Sequence, residues 1–208
     1  MAMRRIVREP VAIAILAKAP VPGFAKTRLI PALGAEGAAA LQSRLIAHTA
    51  ATAAAARIGD MTLWALPDAS HPVFQSAKTR YGIALARQPP GDLGQRIFAA
   101  LAAAHGPALV IGTDSPALTP EHLRACAEPL REGIDVVAIP AEDGGYVLLG
   151  ARCPDVRLFL DMPWGTPGVM SETRSRLARL GFSWREPARL WDLDRPNDLA
   201  RLAEINFA

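Results

Sequence analysis

Apolar residues fall along this chain in short continuous runs, separated by longer alanine-rich or amphipathic stretches. Residues 11–17, VAIAILA, are apolar throughout, the pattern of a strand buried on both faces. Residues 35–57, AEGAAALQSRLIAHTAATAAAAR, are rich in the best helix former and predict a long helix. MTLWAL (61–66) and IALAR (83–87) predict short strands, LGQRIFAALAAAH (93–105) a helix, and ALVIG (108–112) another buried strand. Thr119, Pro120 and Glu121 supply an N-cap, a first-turn proline and a first-turn acid, so a helix starts there. DVVAIP (135–140) and GYVLLG (145–150) read as strands a few residues apart. Helices over 171–180 and 196–205, the second opened by Pro196, complete the pattern.

Strands alternating with helices predict an α/β fold: a mostly parallel central sheet with helices on both faces, in three layers. No linker, internal repeat or charge run divides the chain, so one domain over residues 1–208 is expected. In such sheets ligands bind beyond the carboxyl ends of the strands. The strand-exit loops are therefore where chemistry is to be sought.

Composition changes this picture little. Half of the residues are apolar, 21% are charged and the net charge is +3, ordinary values for a globular chain. The late arginines are scattered without interleaved aromatics, which argues against a nucleic-acid groove. Cys126 and Cys153 lie far apart without zinc-ligand spacing, and two reduced thiols suit a cytoplasmic protein. The opening MAMRRIVREPVAIAILAKAP has the arginines of a signal peptide. Its apolar run ends after about seven residues, too short for export or for a membrane span, and is read as a strand.

The loop after the first strand, KAPVPGFAKTR, is stiff and basic. Pro20 and Pro22 restrict its shape, Gly23 lets backbone approach a ligand, and Lys18, Lys26 and Arg28 suit a chain of phosphates. An ordinary surface loop with incidental bases fits the same residues. Neither the P-loop GxxxxGK[ST] nor the dinucleotide GxGxxG is present, which disfavours NAD. Asp114, just past a buried strand in VIGTDSPAL, suits a Mg²⁺ or Mn²⁺ ligand and equally an Asx turn before Pro116. In EDGGYVLLG, Asp143 suits a general base, and Gly144 an Asp-Gly hairpin turn. WDLDRPNDL offers Asp192 and Asp194, of which one is expected to face the crevice. Asp198 is expected to serve the start of the last helix.

In this order AKAPVPGFAKTRL, GDLGQRIFAAL, GTDSPAL, EDGGYVLLG, WGTPGVMSET and DLDRPNDL resemble the bacterial DUF2064 family, over roughly residues 11–205. These are glycosyltransferase-like proteins, also called radical-SAM/selenodomain-associated transferases. The resemblance implies a GT-A, or nucleotide-diphospho-sugar transferase, fold similar to phospholactate and molybdopterin guanylyltransferases. It implies phosphate contacts from Lys18, Lys26 and Arg28 within the Pro20–Gly23 loop, with Lys26 also a catalytic group, and a metal held by Asp114 and Asp194. Arg195 follows Asp194 where relatives carry threonine, and TDSP gives one acid where a DxD gives two. Gly91, Asp92 and Gly94 of GDLGQR, Gly144 and Gly145 of DGGY, and Trp164 and Thr166 of WGTPG are implied in nucleotide and acceptor contacts.

The function so implied is transfer of a sugar from a nucleotide-sugar to a small-molecule acceptor, assisted by Mg²⁺ or Mn²⁺, with Asp143 taking the acceptor proton. The alternative is nucleotidyl transfer from a nucleoside triphosphate to a small phosphorylated acceptor. Neither reading involves a nucleic acid or a membrane.

Overall fold

A computed structural model describes residues 8–205; residues 1–7 of the opening segment lie outside it. Among the described residues seven strands form one sheet: β1 (Ala12–Lys18), β2 (Met61–Leu66), β3 (Ala84–Arg87), β4 (Ala108–Ile111), β5 (Val136–Pro140), β6 (Tyr146–Ala151) and β7 (Trp184–Arg185). Their order is β3-β2-β1-β4-β6-β5-β7. β1 pairs parallel with β2 and β4, β2 with β3, and β5 with β7. Only β6 runs against its neighbours β4 and β5.

The helices are α1 (Ile30–Ala56), α2 (Pro72–Tyr81), α3 (Leu93–Ala102), α4 (Pro120–Arg131) and α5 (Val169–Leu180). On one face of the sheet α1, α2 and α4 bury Ala50, Phe74 and Leu123 against Ile13, Leu63 and Ile139. On the other, α3 and α5 bury Ile97 and Leu177 against Val110, Ala138 and Leu149. The continuous apolar runs arise because the central strands are covered on both faces: all four residues of β4 and all five of β5 are buried. The three-layer α/β/α arrangement is thus present. Among the described residues, no helix is long and apolar enough to cross a membrane.

Several elements differ from the sequence expectation. α1 is assigned from Ile30, across a break at Gly34 (φ 70°) that the alanine pattern does not encode. α2 was not expected: it is a polar helix, capped by the ring of His71 and ended by left-handed Gly82. β7 has only two residues and exists through its pairing with β5. The last helix is 3-10, Pro196–Glu204. The Thr119 start is as expected, with the hydroxyl accepting from His122 N and Pro120 in the first turn.

Candidate functional site

The carboxyl ends of β1 and β4 open into a cleft of about 460 Å³. Buried amides hold these ends in register. Gln42 on α1 donates to Lys18 O (3.3 Å) and Thr113 Oγ1 (3.1 Å), while Gln88 after β3 donates to Ala17 O (3.2 Å) and Trp64 O (2.8 Å). Each amide thus ties the end of β1 to a neighbouring element of the fold.

The loop after β1 turns through Gly23 (φ 77°) and then through Lys26, a non-glycine residue in the left-handed region (φ 49°). This conformation is uncommon for a long side chain. It sends Lys26 inward, where its side chain is 4% exposed and its Nζ lies 2.7 Å from Asp114 Oδ1 and 2.6 Å from Leu193 O. One ammonium thereby joins the β1 loop, the end of β4 and the C-terminal segment. Arg28 extends from the following 3-10 turn to pair with Asp194. Lys18 is exposed, its Nζ 4.6 Å from the centre of the Phe24 ring.

Opposite stand the acids. Asp114 and Asp194 line the cleft, and so does Asp192. The expectation that only one of the last two faces the crevice is corrected. An extended chain repeats every two residues, so positions 192 and 194 share a side while Trp191 and Leu193 turn together into the core. Leu193 N donates to Asp114 O (2.7 Å), fixing the two segments side by side. Burial first, then the negative charges of Asp114, Asp143 and Asp194 against the opposing effect of Lys26, together push the Asp192 carboxyl up to about 7. Asp198 accepts from Asp194 N and Arg195 N, the helix-start role expected of it. Ser115, buried, donates its hydroxyl to Trp191 O.

The remaining expected residues take other positions. Pro20 is buried and Gly23 exposed in the turn beside the cleft. Asp92 caps α3, accepting from Gln95 N (2.8 Å), while Gln95 Oε1 accepts from Asp92 N (2.9 Å) and fills the space beside Gly91. Gly94 is bare because a Cβ there would lie 2.8 Å from Trp164 Cζ2 and 2.9 Å from Phe159 Cβ. Gly144 (φ 96°) packs against Pro167, where a Cβ would come within 2.1 Å of the carbonyl oxygen. Gly145 N donates to Asp143 Oδ1 (2.9 Å) in the β5–β6 hairpin, and the Thr166 hydroxyl to Pro163 O (2.8 Å). Trp164 meets Tyr146 edge-on. Lys18, Lys26, Arg28, Asp114 and Asp194 are thus brought together in the cleft, whereas the glycines, Asp92, Trp164 and Thr166 shape the loops around it.

Polar cleft residues that were not singled out from sequence include Gln42, Gln88, Arg96 and Tyr146. A glutamine on the apolar face of an alanine-rich helix was the one signal available for Gln42. Among the described residues no group of three or more His, Cys, Asp or Glu side chains forms a ready-made metal centre. The donors present are nonetheless carboxylate oxygens, the hard ligands that Mg²⁺ and Mn²⁺ take. A cation beside Asp192 would relieve the crowding of negative charge there. The donor set fits a divalent ion that draws its other ligands from a bound anion.

A profile of the family described as uncharacterized protein conserved in bacteria (DUF2064) matches residues 49–166. The chain belongs to the DUF2064 family. No curated protein matches it. Among solved structures, this DUF2064 chain is similar to a candidate nucleotide-diphospho-sugar transferase from Desulfovibrio desulfuricans G20. That likeness has 25% identity and a TM-score of 0.82, over 94% of this chain and 88% of that one. A nucleotidyl transferase from Methanothermobacter is 17% identical (TM-score 0.60), over 94% of this chain and 97% of that one. Glucosyl-3-phosphoglycerate synthase from Mycobacterium tuberculosis, solved with Mn²⁺, uridine diphosphate and glucosyl-3-phosphoglycerate, is 13% identical (TM-score 0.53), over 94% of this chain and 76% of that one. The DUF2064 chain therefore has the GT-A, nucleotide-diphospho-sugar transferase fold.

Proposed function

We propose that this protein is a glycosyltransferase that moves a sugar from a nucleotide-sugar donor to a small-molecule acceptor, with Mg²⁺ or Mn²⁺ as cofactor. The observation that carries the reading is a cleft whose lining sets bases of the β1 loop beside acids of the β4 exit and the C-terminal segment. Lys26 and Arg28 of the β1 loop pair with Asp114 and Asp194, while Asp192 stands among acids. A diphosphate with its divalent ion matches that lining, phosphate oxygens toward Lys18 and Arg28 and cation toward the acids.

In this reading Lys18 and Arg28 bind the diphosphate, since both are exposed at the cleft mouth. The buried Lys26 positions Asp114 and counters part of the acidic charge. Asp114 and Asp192 hold the ion, and Asp194 adds its carboxylate when Arg28 turns to phosphate. The ion, when bound, neutralises charge that builds on the leaving diphosphate. Asp143, exposed in the β5–β6 hairpin with Oδ1 accepting from Gly145 N, is in this reading the group that takes the acceptor's hydroxyl proton.

The Desulfovibrio likeness favours sugar transfer over nucleotidyl transfer. A thermal-shift panel of nucleotide-sugars and nucleoside triphosphates with Mn²⁺, followed by product analysis with the stabilising donor, tests the reading. Release of nucleoside diphosphate is expected. Pyrophosphate release would mark nucleotidyl transfer, and no metal-dependent stabilisation by any nucleotide would sink both.

A further inference from the structure

Arginines in this protein are paired where the chain surrounds them. Arg176, 10% exposed in its side chain, bonds Glu172 and the carbonyls of Leu158 and Asp161, and Arg131 bonds Glu128 and Ile58 O. Arg96 departs from that rule. It stands on the first turn of α3 and lines the cleft, its Nε buried and without a hydrogen-bond partner. No carboxylate among the described residues forms an ion pair with it.

A second unmet donor shares the cavity. Tyr146 opens β6 and lines the same cleft, and its hydroxyl is buried with no partner. Burial holds the phenol well above its ordinary range, so it remains a neutral O–H donor. The nearby lining is apolar, from Leu16, Ile97, Val110 and Leu149. Donors left unmet beside such a surface carry a desolvation penalty that only an acceptor can remove.

We propose that Arg96 and Tyr146 form a second anion subsite of the cleft, which takes a carboxylate or phosphate group of the acceptor. Both residues are donors at neutral pH, so their ligand must accept, and a guanidinium is best matched by an anion with two oxygens. The assignment to the acceptor rests on the transferase reading. The donor's diphosphate has Lys18 and Arg28 on the β1 side, next to the acids, whereas Arg96 and Tyr146 belong to the α3 and β6 side. The acceptor class is therefore a small acidic molecule bearing the hydroxyl to be modified.

The test is a ¹⁵N–¹H spectrum of the arginine Nε–H groups of the whole protein, with the Arg96 signal assigned by its loss in Arg96→Lys. Inorganic phosphate and malonate are titrated in turn, with and without the nucleotide that stabilises the protein. The expected result is a saturable shift of the Arg96 signal with one of them. The dissociation constant should rise about tenfold in Tyr146→Phe, which deletes one hydrogen bond to a charged group. An Arg96 signal unmoved by both anions, or the same constant in Tyr146→Phe, overturns the subsite. Competition between nucleotide and anion for the Arg96 signal overturns its assignment to the acceptor. If no nucleotide binds but Arg96 still takes the anion, the transferase reading fails and the subsite stands.

Discussion

Lys26 Nζ sits 2.7 Å from Asp114 Oδ1 with its side chain almost fully enclosed, so the base of one loop and the acid of another are fixed as a unit. The same nitrogen donates to Leu193 O, which ties the C-terminal segment to both. Replacing Lys26 by Met should remove two charge-assisted hydrogen bonds while keeping much of the volume. A loss of about 2–4 kcal/mol is expected in urea unfolding. A change under about 0.5 kcal/mol, the range of an ordinary surface substitution, would show that the ammonium does not join these segments.

Asp192 gives the site a pH signature. Its folded carboxyl is pushed up to about 7 from the ordinary 3.8. Between those values the folded state binds more protons than the unfolded state, so this group's contribution is full below the unfolded value and is lost as pH rises through the folded one. At pH 8 the metal-free wild type should be less stable than Asp192→Asn, by up to about 4 kcal/mol. Below about pH 4 the two should converge. The comparison must be made by difference, because Asp135, Asp155 and Glu186 are held below their ordinary ranges by their partners and act in the opposite sense. Urea unfolding of both proteins across pH 4–8 measures it, and parallel stability curves would show that Asp192 is not under strain from its neighbours.

Asp92 distinguishes a cap from a ligand. Its carboxylate accepts from Gln95 N at the start of α3. Asp92→Ser keeps a capping oxygen, so nucleotide affinity and stability should both stay near wild type. Asp92→Ala should lose about 1 kcal/mol of stability, with nucleotide affinity unchanged. A fall in nucleotide affinity for the serine variant, measured by calorimetry, would put Asp92 in direct contact with the ligand.

Gly144 holds two loops together. Its φ of 96° and the 2.1 Å that would separate a Cβ from Pro167 O leave alanine no room without moving backbone. Met170 N also donates to Gly144 O (2.8 Å), so the strain would spread to the start of α5. Gly144→Ala should destabilise by about 2 kcal/mol or more, read as a lowered melting temperature. An unchanged melting temperature would mean that residues 141–145 and 162–168 are not docked this way.

How much of this was legible in the sequence depends on whether the information is local. VAIAILA and ALVIG announced central strands because burial on both faces removes polar residues altogether. Thr119 with Pro120 announced a helix because a cap is chemistry within one turn. Strand β7 could not be read, since two residues become a strand only by lying against β5, and the polar α2 left too weak an apolar stripe. In the site, Lys18, Arg28 and Asp114 were visible as charges at strand exits. What the sequence did not disclose was partnership. It did not show that Lys26 is enclosed against Asp114, or that Asp192 shares a side with Asp194 because Trp191 and Leu193 occupy the core. Nor did it mark Arg96, whose interest lies in having no partner.

The most direct test of a cleft that binds a diphosphate together with a divalent ion is calorimetric titration of the four common nucleoside diphosphates, each with and without Mn²⁺. It is run on wild type, Asp114→Asn, Asp192→Asn and Arg28→Met. The expected result is at least one nucleotide that binds wild type only when Mn²⁺ is present. Its affinity should fall about tenfold or more in each acid variant, and also in Arg28→Met, where one charge-assisted contact is lost. Binding that ignores Mn²⁺ and survives both acid substitutions, or no binding of any of the four, would contradict it.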